Sequence, residues 1–499
     1  MTETHDIGAM RLLATGDPYL DQILGGGLHE RSVTVIAGEP GSGKTIFCLQ
    51  FLFHLAQQGK RTVYFTTLSE PALKLIRNMQ AFTFFDERLI QDRITFVDLG
   101  STLRTKDIQG SDVMQAIAAR VEELDPDLVV IDSFKAIHDF LGTTKESRAF
   151  VYDLAVQTAA WGAATLLVGE YSQEEIVREA EFAIADGILR FSNRRYELTT
   201  VRELEVLKLR GANHMSGVHF FEIGASGLTI YPRVRGPEIG NEPAYSPRDR
   251  TGSGIPGLDE LLDGGFPRLS STLIQGGSGT GKTVIGLSYL VEGARRGERG
   301  LFFTLEETPN QLRDVARNFG WDLETLERQG LLQIHYVSPI ELSTDRFLHR
   351  VRQSIMDSGA RRLVLDSVSS AALGVVSERR FHEFVYAFAK HCRAGGVSLL
   401  MTMEITEMFG AAQLTGHGVS SMADNIVLLR YVEVEGHIER AISVLKARGV
   451  HHGMDIRHLT IEASGITVGS PYTSMRGVLT GVPTAVSDAA EGPKPRRDG

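Results

Sequence analysis

Gly38-Glu39-Pro40-Gly41-Ser42-Gly43-Lys44-Thr45 returns later in the chain as Gly276-Gly277-Ser278-Gly279-Thr280-Gly281-Lys282-Thr283. Both stretches fit G-x-x-x-x-G-K-[ST], the loop in which main-chain N–H groups wrap nucleotide phosphates. The glycines let the backbone approach phosphate oxygens without a Cβ. Lys44 and Lys282 supply a point charge to the β- and γ-phosphates, and the helix that follows adds its N-terminal dipole. Gly38, Gly41, Ser42, Gly43, Lys44 and Thr45, with all eight residues of the second loop, are therefore the candidate ATP contacts. Before the first loop runs the apolar, β-branched Ser32-Val33-Thr34-Val35-Ile36-Ala37. After it, Thr45 to Gln57 has helical spacing.

Working outward, the two halves share a register. Gly38 to Gly276 is an offset of 238, and the same offset carries Gly16 to Gly254, Asp21 to Asp259 and Lys208-Leu209-Arg210-Gly211 to Lys446-Ala447-Arg448-Gly449. A repeat of this length is a duplicated domain rather than a solenoid unit. Leu128-Val129-Val130-Ile131-Asp132 and Arg362-Leu363-Val364-Leu365-Asp366 are short continuous apolar runs, as buried parallel strands require. Strands alternating with helices predict a doubly wound α/β core in each half, a mainly parallel sheet flanked by helices with its P-loop at the strands' carboxyl ends. The expected divisions are an N-terminal P-loop ATPase domain at 1–235, a Pro/Gly-rich linker at 236–250, a C-terminal P-loop ATPase domain at 251–470, and a loop with a disordered tail at 471–499.

Composition narrows the partners. The chain of 499 residues is long enough for two or three cores, and its net charge of −10 argues against a large nucleic-acid surface. Two cysteines, Cys48 and Cys392, make neither a disulfide framework nor a zinc cluster, so a reducing cytoplasm is expected. The first residues are polar and acidic, unlike a signal peptide, and no apolar run approaches the length of a membrane span.

The chemistry sits at strand ends. Thr45 and Thr283 offer hydroxyls to Mg²⁺, and Asp132 and Asp366 offer carboxylates. A turn or helix cap is the alternative for a strand-end Asp followed by Ser. In the second half, Leu301 to Leu305 reads as a strand ending in Glu306-Glu307, a carboxylate pair suited to a general base, with Glu306 also a candidate metal ligand. Two solvated loop glutamates are the alternative. The first half has Leu68 and Ser69 at these places, with Glu70 just after, which predicts an N-terminal site that binds ATP and hydrolyses it slowly.

Taken together these residues resemble the KaiC family, the duplicated RecA-type ATPases and autokinases of bacterial clocks, from about Leu13 to Pro483. The opening motif Thr251-Gly252-Ser253-Gly254-Ile255-Pro256-Gly257-Leu258-Asp259 is similar to the family's start of each domain, and Glu306-Glu307 match its catalytic glutamates. The resemblance implies a homohexamer of two stacked rings with Mg·ATP between neighbours. Lys208, Leu209 and Arg210, and Lys446, Ala447 and Arg448, then reach the adjoining subunit's nucleotide, as an arginine finger does. An exposed basic edge strand is the other reading. His214 and Arg440 match family residues near the nucleotide. Phe319 stands where the family has a tryptophan lining the adenine pocket, and equally reads as a core residue of the helix starting at Pro309.

The resemblance further implies autophosphorylation. Ser420 and Ser421 stand where the family carries adjacent Ser and Thr acceptors, and Thr415 matches a relay hydroxyl. Gly416 replaces an acidic family residue. A plain polar loop before the strand at Ile426 is the alternative. A KaiB-like partner on the N-terminal domain is implied, while Tyr472 to Pro483 matches the family's C-terminal partner segment only loosely. Two competing functions remain open: a RecA-like DNA-dependent ATPase, which would want basic channel loops, and a nucleotide-gated scaffold with little turnover.

Overall fold

The computed structural model describes residues 11–67, 72–103, 109–141, 144–196, 199–236, 243, 246, 248–375, 377–405, 416–473, 475–476 and 484–485. It divides into two compact units, Met1–Arg233 and Val234–Gly499. The start of the second unit includes residues that composition places in or before the linker. Val234 N donates to Asp345 Oδ1 at 2.9 Å and His391 Nε2 meets Arg235 O at 2.8 Å. No helix among the described residues is long and apolar enough to cross a membrane.

Each unit is built on a nine-stranded sheet. In the first, these are β1 (Val33–Gly38), β2 (Thr62–Thr66), β3 (Ile94–Asp98), β4 (Leu128–Asp132), β5 (Ala164–Glu170), β6 (Gly187–Tyr196), β7 (Thr199–Leu209), β8 (Val218–Gly224) and β9 (Gly227–Tyr231). Their order is β3-β2-β4-β5-β1-β6-β7-β8-β9. Pairings from β3 across to β6 are parallel, and those from β6 to β9 antiparallel. The second unit repeats this with β10 (Ser271–Gly276), β11 (Gly300–Thr304), β12 (Leu332–Tyr336), β13 (Arg362–Asp366), β14 (Ser398–Glu404), β15 (Asn425–Val434), β16 (His437–Ala447), β17 (Arg457–Glu462) and β18 (Gly465–Pro471). The order is β12-β11-β13-β14-β10-β15-β16-β17-β18. The two units thus share one tandem RecA-like topology.

The single offset of 238 holds for β1/β10, β2/β11 and β3/β12, since Ile94 to Leu332 is 238. It falls to 234 at β4/β13 and β5/β14, as Leu128 to Arg362 and Ala164 to Ser398 show, and returns to 238 at β6/β15. Four residues are lost and regained in connections outside the strands, where length changes disturb no ladder.

Strand sequence explains burial. Val33 to Gly38 are all buried, because helices cover both faces of a parallel sheet. On one face the P-loop helix Lys44–Gln57 sets Phe47, Leu52 and Leu55 against Ile36, Tyr64 and Leu189. On the other, the helices Gly110–Leu124 and Thr144–Trp161 set Ile117, Val121 and Leu154 against Val35, Val129 and Ile131. In the second unit Phe303 is fully buried, stacked on His335 at 4.8 Å and edge-on to Phe347 at 5.4 Å. Phe303→Ala therefore costs about 3–5 kcal/mol of stability in denaturant unfolding. A cost under about 1 kcal/mol would mean that the cluster collapses around the gap.

Candidate nucleotide sites

Both P-loops open at the carboxyl end of the central strand, where ligands sit in open α/β sheets. Gly43 and Gly281 stand just before the helix with φ of 96° and 105°. A Cβ on Gly281 would lie 2.2 Å from Ile461 Cδ1, so backbone conformation and space both demand glycine.

In the second unit, Lys282 Nζ donates to the carbonyls of Gly276 and Gly277 at 3.0 and 2.9 Å. Burial lowers its pKa, opposed by the charges of Glu404, Asp366 and Glu306. Thr280 Oγ1 closes the loop onto Gly277 O at 2.8 Å, while Ser278 and Gly279 are exposed at its tip. Thr283 Oγ1 donates to Asp366 Oδ2 at 2.7 Å, and Thr402 on β14 donates to Oδ1. Burial raises the Asp366 pKa, and these two hydroxyl bonds oppose the rise.

β11 ends at Thr304, and Glu306 and Glu307 follow it in a turn rather than in the strand. The turn is tied by Thr304 Oγ1 to Glu307 O at 2.6 Å. Glu306 Oε1 accepts from Ser367 Oγ at 2.6 Å and from Ser370 Oγ. Glu307 is half-buried, and its Oε2 has no hydrogen-bond partner among the described residues. Burial first, then the charges of Asp366 and Glu306, raise its pKa. Glu306 is pinned by two hydroxyls, while Glu307 keeps an unengaged oxygen and a raised pKa, which suits general-base work.

The first unit repeats the frame with different supports. Lys44 Nζ donates to Gly38 O at 3.0 Å and Glu39 O at 2.7 Å, and Thr45 Oγ1 donates to Asp132 Oδ2 at 2.8 Å. Ser42 is fully buried within its loop. The buried Tyr64 hydroxyl on β2 also donates to Asp132, a task that falls to Thr402 on β14 in the second unit. A cleft of about 770 Å³ opens here, lined by Gly41, Gly43, Thr45, Lys135, Glu170 and Arg202 among others. Leu68, Ser69 and Glu70 lie outside the described residues. In both units a threonine hydroxyl and a strand-end carboxylate converge beside the P-loop lysine. That hard oxygen set fits Mg²⁺.

The Lys-x-Arg segments stand elsewhere. Lys446 is in register with Ile426, which is in register with Leu273, three residues before Gly276. Arg448 N bonds to Asp424 O, and Asp424 N to Ser271 O, so Arg448 is level with the start of β10. At about 3.3 Å per residue that is ~16 Å from the P-loop end of the strand. The first unit matches: Arg210 N bonds to Asp186 O, and Asp186 N to Val33 O. Arg210 and Arg448 are 59% and 62% exposed and pair with Asp186 and Asp424 at 3.4 and 3.7 Å. Lys446 Nζ donates to Ser420 O and Ala423 O at 3.3 and 2.7 Å, as Lys208 does to Phe182 O and Ala183 O at 3.3 Å. Leu209 and Ala447 are buried, leaving only main chain to offer a ligand.

Of the remaining candidates, Arg440 does reach its own P-loop. Its Nε donates to Gly279 O at 3.4 Å while the guanidinium lies 5.6 Å over Tyr431. His214 is half-buried in the segment after β7. Phe319 falls beyond the helix Pro309–Arg317, not within it, and stacks on Trp321 at 5.0 Å. Ser420 and Ser421 end a short 3₁₀ turn, Gly416–Ser421. Ser420 Oγ accepts from Gln275 Nε2 at 3.2 Å, and Ser421 is exposed. Thr415 lies outside the described residues.

Three further residues went unread in the sequence. Glu170 and Glu404 end β5 and β14 in direct register with Gly38 and Gly276. Each closes an apolar run, which was the available signal. Arg202 lies 238 residues before Arg440 and lines the first cleft, so the repeat itself pointed to it.

A twice-repeated RecA-like sheet with a P-loop, a hydroxyl–carboxylate pair and flanking glutamates defines a tandem nucleotide-binding ATPase. The KaiC ATPase family model matches residues 13–235 and again 251–472. Curated relatives named circadian clock oscillator protein KaiC align over nearly the whole chain. That of Prochlorococcus marinus (strain MIT 9313) is 30% identical over 95% of this chain and 96% of its own. Those of Acaryochloris marina and Thermostichus vulcanus are 30% identical over 94% of this chain and 90% of theirs. The chain belongs to the KaiC family of ATPases.

Proposed function

We propose that this ATPase is a Ser/Thr autokinase that works as a phosphorylation-state switch, assembled as a homohexamer of two stacked rings with each nucleotide shared by adjacent subunits. The observation that carries the shared site is the placement of Arg448 and Arg210, level with the start of the central strand and far from their own P-loops. A cation ~16 Å from its own phosphate loop cannot serve it, but it can serve a neighbour's. Both guanidinium groups are exposed and their contacts with Asp424 and Asp186 are long, 3.7 and 3.4 Å, so the cations are easily exchanged onto phosphate.

Thr283, Asp366 and Glu306 would hold Mg²⁺ in the second site, and Thr45 and Asp132 in the first. Bound there, the ion neutralises phosphate charge. Lys282 and the loop N–H groups hold the β- and γ-phosphates. Glu307 accepts the proton of the attacking hydroxyl. Arg448 from the next subunit meets charge spreading onto the transferred group. Ser421 is the more accessible acceptor, because it is exposed while Ser420 is half-buried. A phosphate at either serine adds about −1.5 to −2 charge. It would stand beside Lys446, so it can alter how the basic segment is held.

Intact-mass measurement after incubation with Mg·ATP tests the kinase reading. We expect phosphate on the wild-type chain and none on the Ser420→Ala/Ser421→Ala double variant. An unmodified wild-type chain that still hydrolyses ATP rejects the autokinase and leaves the ATPase. Sedimentation with and without ATP tests the ring, and a monomer at saturating nucleotide rejects it.

A further inference from the structure

Behind the first unit's cleft lies a group of side chains that the nucleotide chemistry does not use. His138, on the helix Phe134–Leu141, faces Glu179 and Glu181, which begin the helix Ala180–Ile184. One ligand atom from each of the three lies within 4.8 Å of the others. Glu181 is 0% exposed. Its Oε1 accepts from the buried Tyr171 hydroxyl at 2.7 Å, and its Oε2 is buried without a partner among the described residues. An orphaned carboxylate oxygen in that setting is costly unless something positive meets it.

Among the described residues the second unit carries no such trio. The local offsets place Ala372 at the position of His138 (138 to 372 is 234) and the buried Val419 at that of Glu181 (181 to 419 is 238). Two of the three positions are thus apolar in the second unit, while that of Glu179 is His417 (179 to 417 is 238), so the full polar trio is a property of the first unit and not a need of the architecture.

We infer that His138, Glu179 and Glu181 form a site for a first-row divalent transition ion, of the class of Zn²⁺. One imidazole nitrogen with carboxylate oxygens suits such an ion better than Mg²⁺, which prefers oxygen and retains its waters. Spacing agrees. Two ligands at about 2.0–2.2 Å from a tetrahedral ion stand about 3.3–3.6 Å apart, and His138 Nε2 is 3.5 Å from Glu179 Oε2. The Tyr171 hydroxyl orients Glu181 by binding its other oxygen, the usual outer support of a metal ligand. The site has a consequence for the nucleotide. The helix bearing His138 also presents Lys135 and Asp139 to the cleft that holds Lys44 and Asp132. A bound ion pins that helix to the segment after β5, so the metal regulates the first nucleotide site without touching it.

The test uses the full-length, chelator-treated, nucleotide-free protein, in which no Mg·ATP competes. Titration with Co²⁺, followed by its visible absorption and displaced by Zn²⁺, should give one ion per chain. His138→Ala should weaken binding by about 100-fold, and Glu181→Gln, which keeps the side-chain volume, by at least about 10-fold. His138 is at the edge of the cluster, so its truncation leaves the core intact even if Glu181→Gln disturbs folding. The inference is overturned if no stoichiometric ion binds. It is overturned equally if His138→Ala binds like the wild type, or if the ion is lost instead with His451→Ala/His452→Ala, a surface pair elsewhere in the chain.

Discussion

Glu307→Gln should slow phosphoryl transfer in the second site by about 10²- to 10⁴-fold while ATP binding stays intact, the range expected for loss of a general base. The amide keeps the volume and the turn closed by Thr304, so folding should not change. The choice of Glu307 over its neighbour rests on what each touches. Glu306 is engaged by the hydroxyls of Ser367 and Ser370, and an amide oxygen there can still accept both bonds. With Mg²⁺ raised to offset the metal-ligand charge it removes, Glu306→Gln should therefore cost less in single-turnover transfer of labelled phosphate from ATP. Equal rates for Glu307→Gln and wild type would remove Glu307 from the mechanism. Glu404, in register with the first P-loop glycine, would then be the next carboxylate to test.

Arg448→Ala should reduce transfer by about 10³-fold or more, the scale of an arginine finger, with little change in stability. The guanidinium is 62% exposed and 3.7 Å from Asp424, a buried carboxylate that Arg393 and Ser271 also hold, so its removal leaves no buried charge unpaired. Lys446→Ala is a different experiment. That ammonium holds the carbonyls of Ser420 and Ala423, so its loss also frees the turn that ends in Ser420 and Ser421. Mixing Arg448→Ala chains with chains carrying Lys282→Ala provides the decisive readout. If the cation acts across subunits, mixed assemblies regain activity at pockets formed from one intact half of each. No recovery, in assemblies shown to be mixed, would place the cation outside the reaction.

Much of this was legible in the chain because the informative residues are local. A P-loop is eight consecutive residues, and a strand-end aspartate announces itself by the apolar run before it. What escaped depends on lateral pairing. Glu170 and Glu404 matter only because β5 and β14 lie beside the P-loop strands, and a sequence does not display which strands are neighbours. The second hydroxyl that holds each strand-end aspartate escaped for another reason. Tyr64 supplies it from β2 in one unit and Thr402 from β14 in the other, so aligned positions do not correspond. The offset is not constant, since β4 and β5 are shifted by four residues against their repeats, and Asp132 and Asp366 were legible only because each closes its own apolar run. Phe319 shows the same limit at small scale. Helical spacing from Pro309 does not disclose that the helix stops at Arg317.

β16 begins near the loop that cradles one triphosphate, where Arg440 leans on Gly279, and finishes at Ala447, just before Arg448. A single extended segment is stiff along its length. In a closed ring each such segment would bridge two consecutive catalytic centres, so turnover at one would tug on the next. Subunits wired this way should fire in sequence or in concert rather than independently, and the circle as a whole, not the single chain, would set the tempo.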